Sequence, residues 1–153
     1  MSLQIPYHRQ EKSTTCGPAC VRMVTEYIGM KLSEMELEEG CETSWLGNTC
    51  EELAAGVQKM GFSAEIIENF TKEHLQEIIQ SGTPIVALLD PAVLYGGVQG
   101  FGHFVVITSV EADTIYYHDP DMGPGLAKNR DLFFNAWEKF SYKGVRIWRS
   151  TKR

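Results

Sequence analysis

The sequence has no apolar run long enough to cross a membrane and no excess of basic residues. A spanning helix needs about 20 consecutive apolar residues, and no stretch of the 153-residue chain approaches that length. The formal net charge is −6 at pH 7, which argues against the basic surface of a nucleic-acid-binding domain. The N-terminus also lacks the charged, apolar and cleavable segments of a signal peptide. We therefore expect a cytoplasmic protein with no nucleic-acid partner and no direct membrane insertion.

Cysteines are few, and their spacing is not that of metal ligands. The four are Cys16, Cys20, Cys41 and Cys50, with no Cys-x-x-Cys pair and no zinc-ligand spacing to the histidines. This disfavours a metal site and a redox protein built on the cysteines. Four cysteines do not make a disulfide scaffold in a chain of this length. A pairing of Cys41 with Cys50 in an oxidising compartment stays open, whereas Cys20 is expected to pack in the core.

The chain shows no internal repeat and no low-complexity linker. Because 43% of its residues are hydrophobic, it can build one core, and we expect a single domain over residues 1–153. Helical patterns dominate the first half of the sequence and strand patterns the second. This segregation predicts an α+β fold, with an N-terminal helical half packed on a C-terminal antiparallel sheet.

The helices of the first half have clear start signals. A helix is predicted over 16–29, with Pro18 in its first turn, where the missing N–H costs nothing. Ser33-x-x-Glu36 and Thr49-x-x-Glu52 are capping boxes that open two further helices, and Thr71 caps a fourth. The other predicted elements are a strand or extended arm over 3–7, strands over 62–67, 84–89, 103–110, 114–118 and 144–148, a glycine-rich loop over 90–102 and a helix over 129–140.

Glutamates are concentrated between residues 34 and 52. Such a cluster is typical of solvated helix faces. An acidic docking surface for a basic peptide is the alternative interpretation.

The most informative motif is Thr-Thr-Cys16-Gly-Pro-Ala-Cys20, which places a thiol at the start of a helix. A helix N-terminus carries partial positive charge and unpaired N–H groups, so it favours thiolate over thiol. A buried free cysteine is the ordinary alternative, and it suits Cys20. Cys16 instead follows a polar loop and precedes Gly17 and Pro18, outside the apolar stripe of the helix. Cys16 is therefore the candidate nucleophile.

His103 and Asp119 are the candidates for its base and for the acid that orients the base. Imidazole is the usual base for a thiol because its pKa lies near neutrality. His118 is the competing base, but strand alternation places it on the face opposite to Asp119. A turn-forming Asp-Pro is the alternative role for Asp119. If 111–113 is a three-residue hairpin loop, position 105 faces 119, and His103 shares a face with Asp119. A two-residue loop needs a bulge to do the same.

Gln10 stands six residues before Cys16. From there its amide can reach back beside the thiol and donate a hydrogen bond to a developing oxyanion. The backbone N–H of Cys16 is the expected second donor.

Taken in order, these motifs resemble a known family. Gln10, Cys16-Gly-Pro-Ala-Cys20-x-x-Met23, Gly-His103-Phe-Val-Val and Asp119-Pro120 are similar to the peptidase domains that remove leader peptides from bacteriocins, papain-like cysteine peptidases with a double-glycine cleavage preference. The resemblance covers about residues 4 to 148. It implies a two-lobed papain-like fold with Cys16 as nucleophile, His103 as base, Asp119 as orienting acid and Gln10 as oxyanion donor. Many members are fused to a membrane ABC transporter, so it also implies association with a transporter.

The sequence thus predicts a thiol-dependent peptidase that works through an acyl-enzyme on Cys16, with leader-peptide processing as the implied role. Its partner is a peptide or protein substrate, and the reaction needs no metal or organic cofactor. One alternative is an acyl transferase or amidase that uses the same three side chains. Another is a peptide-binding module that keeps the fold without turnover. The joint presence of Cys16, His103 and Asp119 favours an enzyme, since a pure binder has no need of all three.

Overall fold

Six helices and six strands make up the described part of the chain, which is residues 2–69 and 71–150 of a computed structural model. The helices are α1 (Cys16–Tyr27), α2 (Glu34–Gly40), α3 (Cys50–Lys59), α4 (Lys72–Gln80), α5 (Pro91–Tyr95) and α6 (Arg130–Glu138). The strands are β1 (Phe62–Ile67), β2 (Ile85–Leu89), β3 (His103–Glu111), β4 (Thr114–Asp119), β5 (Gly123–Asn129) and β6 (Gly144–Arg149). They form one antiparallel sheet in the order β1-β6-β2-β3-β4-β5. The fold is α+β, as the sequence predicts.

Side chains cap the helices where the sequence signals indicate. The hydroxyl of Ser33 accepts a hydrogen bond from the backbone of Glu36, whose carboxylate accepts one from the backbone of Ser33, both at 3.0 Å. Thr49 and Glu52 repeat this exchange, and Thr71 caps α4. Each cap satisfies N–H groups that a helix start leaves unpaired. None of the helices in the described residues is long and apolar enough to cross a membrane.

Strand β3 lies in the middle of the core. Residues 104–110 are all buried, and a strand whose successive side chains are all buried must be covered on both faces. Helices α1 and α4 both contact β3. The strand that begins at His103 is therefore held firmly from two sides.

The hairpin between β3 and β4 differs from the predicted three-residue loop. Only residues 112 and 113 lie between the two strands, and the register shifts by one residue at Thr108, which forms a β-bulge. Beyond the bulge Val106 lies opposite His118, so position 105 faces 119 in continued register. The predicted register is thus reached through the bulge rather than through the loop.

The region 90–102, predicted as a loop, contains the short helix α5. A side-chain oxygen of Asp90 accepts a hydrogen bond from the backbone N–H of Ala92 at 3.0 Å. Pro91 occupies the first helical position, and Gly96, with a φ of 85°, ends the helix. These are ordinary start and stop signals of a helix. The glycines that follow are typical of a loop, and for that reason the sequence predicts a loop over the whole region.

Strand β5 at the sheet edge is not predicted from the sequence. Pro124 and two glycines occupy its first three positions, and these residues disfavour strands in general. Because β5 pairs only with β4, a proline is tolerated there.

The N-terminal segment is an extended arm rather than a strand of the sheet. The N–H of Leu3 donates to the carbonyl of Thr108 at 2.9 Å, and the side chains of Leu3 and Ile5 are buried. The arm therefore docks on the carbonyl that the bulge presents.

Candidate active site

Cys16 is the first residue of α1, where backbone N–H groups have no acceptor within the helix. The preceding residue, Thr15, does not cap the helix with its side chain. Its hydroxyl instead exchanges hydrogen bonds with the backbone of Lys12, both at 3.0 Å. The N–H groups of Cys16 and Gly17 are thus left without a side-chain cap, a position where a helix start favours an anion.

All four cysteines are free thiols, and they differ in exposure. Cys16 is partly exposed, whereas Cys20, Cys41 and Cys50 are buried. Burial raises the pKa of Cys41 to about 11 and that of Cys50 to about 12, and it also raises the pKa of Cys20. The three buried thiols are therefore poor nucleophiles near neutral pH.

The structure brings His103 and Asp119 together across adjacent strands. His103 Nε2 lies 2.7 Å from Asp119 Oδ1, and the Asp119 side chain is fully buried. Burial lowers the pKa of His103, but hydrogen bonds to Asp119 and Cys16, with the charges of both groups, outweigh this effect and raise it well above its ordinary value. Nε2 is directed at the acid, and the ring also hydrogen-bonds with Cys16. The arrangement favours a protonated His103 held between the Asp119 carboxylate and the Cys16 side chain.

The turn after β4 also holds the Asp119 carboxylate. Oδ1 accepts hydrogen bonds from the backbone N–H groups of Asp121 at 2.9 Å and Met122 at 3.2 Å. Burial raises the pKa of Asp119, but the hydrogen bond and charge of His103, followed by the Asp121 N–H and a tyrosine hydroxyl, outweigh it and lower the pKa. The carboxylate is thus a fixed anion rather than a mere turn residue.

His118 faces away from this cluster, as strand alternation predicts. Its Nε2 lies 2.7 Å from the carbonyl oxygen of Ile5 and must donate, because a carbonyl only accepts. Its Nδ1 accepts from the N–H of Gly125 at 3.0 Å. Both ring nitrogens are therefore engaged in joining the N-terminal arm to β5.

Gln10 lies beside the acid, in the loop that leads to Cys16. Its backbone N–H donates to the carbonyl of Pro120 at 2.9 Å. Its side-chain Nε2 donates to the carbonyl of Lys12 at 2.9 Å, a bond that uses one of two amide protons. The second proton is the one that the proposed oxyanion role requires.

A groove of about 330 Å³ opens at Cys16. It is lined by residues of the loop before α3 and by residues around the start of β3. Lys143 and Glu51, which also line it, form an ion pair of 2.6 Å between Nζ and Oε2. The apolar part of its lining comprises Leu46, Leu88, Phe104 and Phe140. A peptide in this groove would pass over the sulfur.

The sequence matches the peptidase C39 family over residues 4–142. The chain belongs to this family. The predicted resemblance to double-glycine leader peptidase domains is thereby confirmed at the level of family and fold.

Two curated proteins are similar to the chain over most of its length. The chain is 25% identical over 134 residues to LagD of Lactococcus lactis, the lactococcin-G-processing and transport ATP-binding protein. This match covers 88% of the chain but 18% of LagD. An uncharacterised protein of Methanothermobacter marburgensis is 28% identical over 125 residues, which cover 82% of the chain and 78% of that protein.

Solved structures share the fold. A C39-like peptidase described from Bacillus anthracis has a TM-score of 0.82 at 16% identity and covers 97% of the chain and 96% of its own. The peptidase domain of Streptococcus ComA, a bifunctional ABC transporter, has a TM-score of 0.77 at 18% identity over 94% and 97%. A double-glycine-motif protease from an AMS/PCAT transporter, solved with its leader peptide, has a TM-score of 0.70 at 18% identity over 96% and 91%.

In this C39 family member, three residues near the site escape sequence reasoning. Tyr95 donates its hydroxyl proton to Asp119 Oδ2 at 2.8 Å and lies 2.7 Å from the hydroxyl of Tyr117. Glu34 is buried, and its carboxylate accepts the N–H of Glu11 at 3.0 and 3.1 Å, which anchors the loop after Gln10. In the sequence, the tyrosines look like ordinary packing residues and Glu34 like one more surface glutamate.

Proposed function

We propose that the chain is a cysteine peptidase that hydrolyses a peptide bond through an acyl-enzyme on Cys16. The observation that carries this proposal is the buried 2.7 Å contact between His103 and Asp119, with the same imidazole hydrogen-bonded to Cys16 at a helix start. A buried acid that engages one side of a histidine, with a partly exposed thiol on the other, is the arrangement of an activated nucleophile.

The proposed reaction has two halves. The Cys16 sulfur attacks the carbonyl carbon of the scissile bond, and the Gln10 amide and the Cys16 N–H donate hydrogen bonds to the oxyanion. His103 gives its proton to the leaving amine, so the C–N bond breaks and a thioester remains. Water then attacks the thioester carbon and gives a proton to His103. The acid product leaves, and the thiolate and imidazolium are restored. Asp119 fixes the tautomer and orientation of the ring throughout.

For the substrate, we propose a leader peptide with a double glycine before the cleavage site. The support is similarity to LagD, whose name describes processing and transport, and to a protease solved with a leader peptide. We further propose that the chain acts as a single peptidase domain in the cytoplasm, where a free thiol persists. Association with a transporter is the matching proposal for a partner.

Cleavage of a synthetic leader peptide tests this function. We expect mass spectrometry to show two fragments, divided after the second glycine, and no cleavage when both glycines are replaced by valine. Repeating the reaction with added hydroxylamine separates hydrolysis from acyl transfer, since a transferase would give a hydroxamate as its main product. Binding of the intact peptide with no product from any peptide, ester or amide would instead identify a binding module.

Replacing Gln10 with alanine should lower kcat by roughly 10²- to 10³-fold, the usual effect of losing one oxyanion donor. KM should change little, because the donor acts mainly on the charge that develops in the transition state. Steady-state kinetics on the cleaved peptide measure both constants. Gln76→Ala, an exposed glutamine on α4, is the matched control and should retain full activity. A Gln10→Ala variant with wild-type kcat would remove Gln10 from the mechanism.

A further inference from the structure

The two oxygens of the Asp119 carboxylate have different partners. Oδ1 accepts hydrogen bonds from His103 and from two backbone N–H groups, whereas Oδ2 accepts one from the hydroxyl of Tyr95. The side chain is fully buried, so bulk water cannot solvate Oδ2. The Tyr95 hydroxyl therefore takes the place of water at this oxygen.

Proton counting fixes the direction of the hydrogen bonds around Tyr95. A tyrosine hydroxyl has one proton, and that of Tyr95 is given to Asp119, because a carboxylate only accepts. The 2.7 Å contact between the two tyrosine hydroxyls must then use the proton of Tyr117. The result is a directed chain from Tyr117 to Tyr95 to Asp119, in which each bond strengthens the next.

Local structure places Tyr95 for this contact. It is the last residue of α5, whose start is fixed by the Asp90 cap and by Pro91 and whose end is fixed by Gly96. Tyr117 lies on β4, two residues before Asp119, and is fully buried. Both hydroxyls are thus held by secondary structure and not by a mobile loop.

We propose that Tyr95 is a positioning residue of the catalytic pair: its hydroxyl fixes the Asp119 carboxylate and shares its negative charge, so that His103 can release its proton to the leaving amine. The inference rests on the proposed roles of Cys16 and His103. Without the Tyr95 hydrogen bond, the full negative charge of Asp119 would act on the imidazolium, and His103 would hold its proton more tightly. This would slow the step in which His103 acts as an acid and gives its proton to the leaving amine.

Several other polar and charged groups lie near the pair. The ammonium group of Lys128 on β5 lies 5.2 Å from the centroid of the Tyr95 ring, a cation–π contact. Tyr7 of the N-terminal arm donates its hydroxyl to the backbone carbonyl of Asp119 at 2.7 Å. Arg9 donates to the carbonyl of Asp121 at 2.6 Å. In the test variants these groups keep their charges, so a change in the titration of His103 reports on the hydroxyl itself.

The test is an NMR titration of the full chain labelled with ¹⁵N-histidine, which needs no substrate. A hydrogen bond to Asp119 stabilises the bare carboxylate more than the one paired with imidazolium, so removing it should make His103 hold its proton more tightly. In Tyr95→Phe we expect the His103 titration to move upward by roughly one pH unit, about 1.4 kcal/mol of differential interaction. The His103→Ala spectrum assigns the signal among the four histidines. With a cleavable peptide, kcat at pH 7 should fall about tenfold with KM unchanged.

Two variants are the controls. Tyr117→Phe leaves Tyr95 in contact with Asp119 and removes only its support, so the shift should have the same direction and a smaller size. Tyr116→Phe, an exposed tyrosine on the same strand, should give no shift. An unchanged or downward-shifted titration in a folded Tyr95→Phe protein overturns the proposal, and so does an effect confined to the melting temperature. If Tyr95→Phe does not fold, the Tyr117→Phe variant decides the question. A His103 titration in that variant that is the same as in the wild-type protein also overturns the proposal. Failure to find a peptide substrate would count against the proposed function without changing the titration.

Discussion

Replacing Cys16 with alanine is expected to abolish turnover while leaving the fold intact. Alanine is accepted at the start of a helix, and the change removes one sulfur atom from a partly exposed position. Loss of the nucleophile costs roughly 10⁶-fold in kcat in a serine hydrolase with the same arrangement of nucleophile, base and acid. Peptide cleavage followed by mass spectrometry measures the loss, and circular dichroism with thermal unfolding measures the fold.

Cys50 provides a matched control for that experiment. It is also the first residue of a helix and also lines the groove, but it is buried with its pKa raised to about 12. Cys50→Ala should therefore keep its activity. In the wild-type protein, iodoacetamide at pH 6 should alkylate Cys16 much faster than the other three cysteines. Peptide mapping identifies the labelled cysteines. Equal labelling of all four would contradict the assignment of Cys16 as the nucleophile.

Replacing His103 with alanine is expected to lower kcat by about 10⁴-fold or more and to remove the preferential alkylation of Cys16. The same change at His118 should leave kcat per folded molecule nearly unchanged. His118→Ala instead loses the bonds to Ile5 and Gly125, which should destabilise the fold by about 1–3 kcal/mol. Chemical denaturation gives the stability of each variant, and kinetics on the same samples give kcat. An inactive, well-folded His118→Ala protein beside an active His103→Ala protein would reverse our choice of base.

The elements that the sequence predicts well are those whose signals are local. The capping boxes at Ser33 and Thr49 lie within four residues of the N–H groups that they satisfy. The start of α1 at Cys16 is read from Pro18 and the apolar stripe that follows. Local signals of this kind mark helix starts, and they place the Cys16 thiol at a helix start without reference to any tertiary contact.

The pairing of β3 with β4 around the bulge at Thr108 cannot be predicted from local signals. Alternation along β3 and β4 states which residues share a face, but the pairing between the strands depends on loop length and on bulges. No residue type near Thr108 predicts the bulge. The carbonyl of Thr108 accepts a hydrogen bond from the N–H of Leu3, a residue far away in the sequence. Position 105 comes to face 119 through the bulge, whereas the sequence alone requires either an odd loop or a bulge.

Tyr95, Tyr117 and Glu34 were missed for a related reason. Their roles depend on partners that are far away in the sequence, such as Asp119 for Tyr95 and the Glu11 N–H for Glu34. Aromatic and acidic residues are common in packed helices and on surfaces, so the residue types alone do not predict these roles. Only the tertiary structure shows that a phenol and a carboxylate are used to fix the loop and the acid around Cys16.

Tyr95 and His103 are hydrogen-bonded to the same carboxylate, that of Asp119. The two ends of the seven-residue segment between them are therefore held close together. A chain segment whose two ends are pinned side by side can change length at small free-energy cost, since doubling a flexible loop costs only about 0.6 kcal/mol in closure entropy. Gly96, Gly97 and Gly100 have φ angles of 85°, 111° and 101°, which favour glycine, whereas Val98 and Phe101 are exposed and can be exchanged more freely. The segment ends at Gly102, in the wall of the groove. Insertions in this segment, and exchanges at Val98 and Phe101, can therefore reshape the groove wall while Cys16, His103 and Asp119 keep their positions. Under the proposed function, the peptide that the groove accepts could change without a change in the catalytic groups.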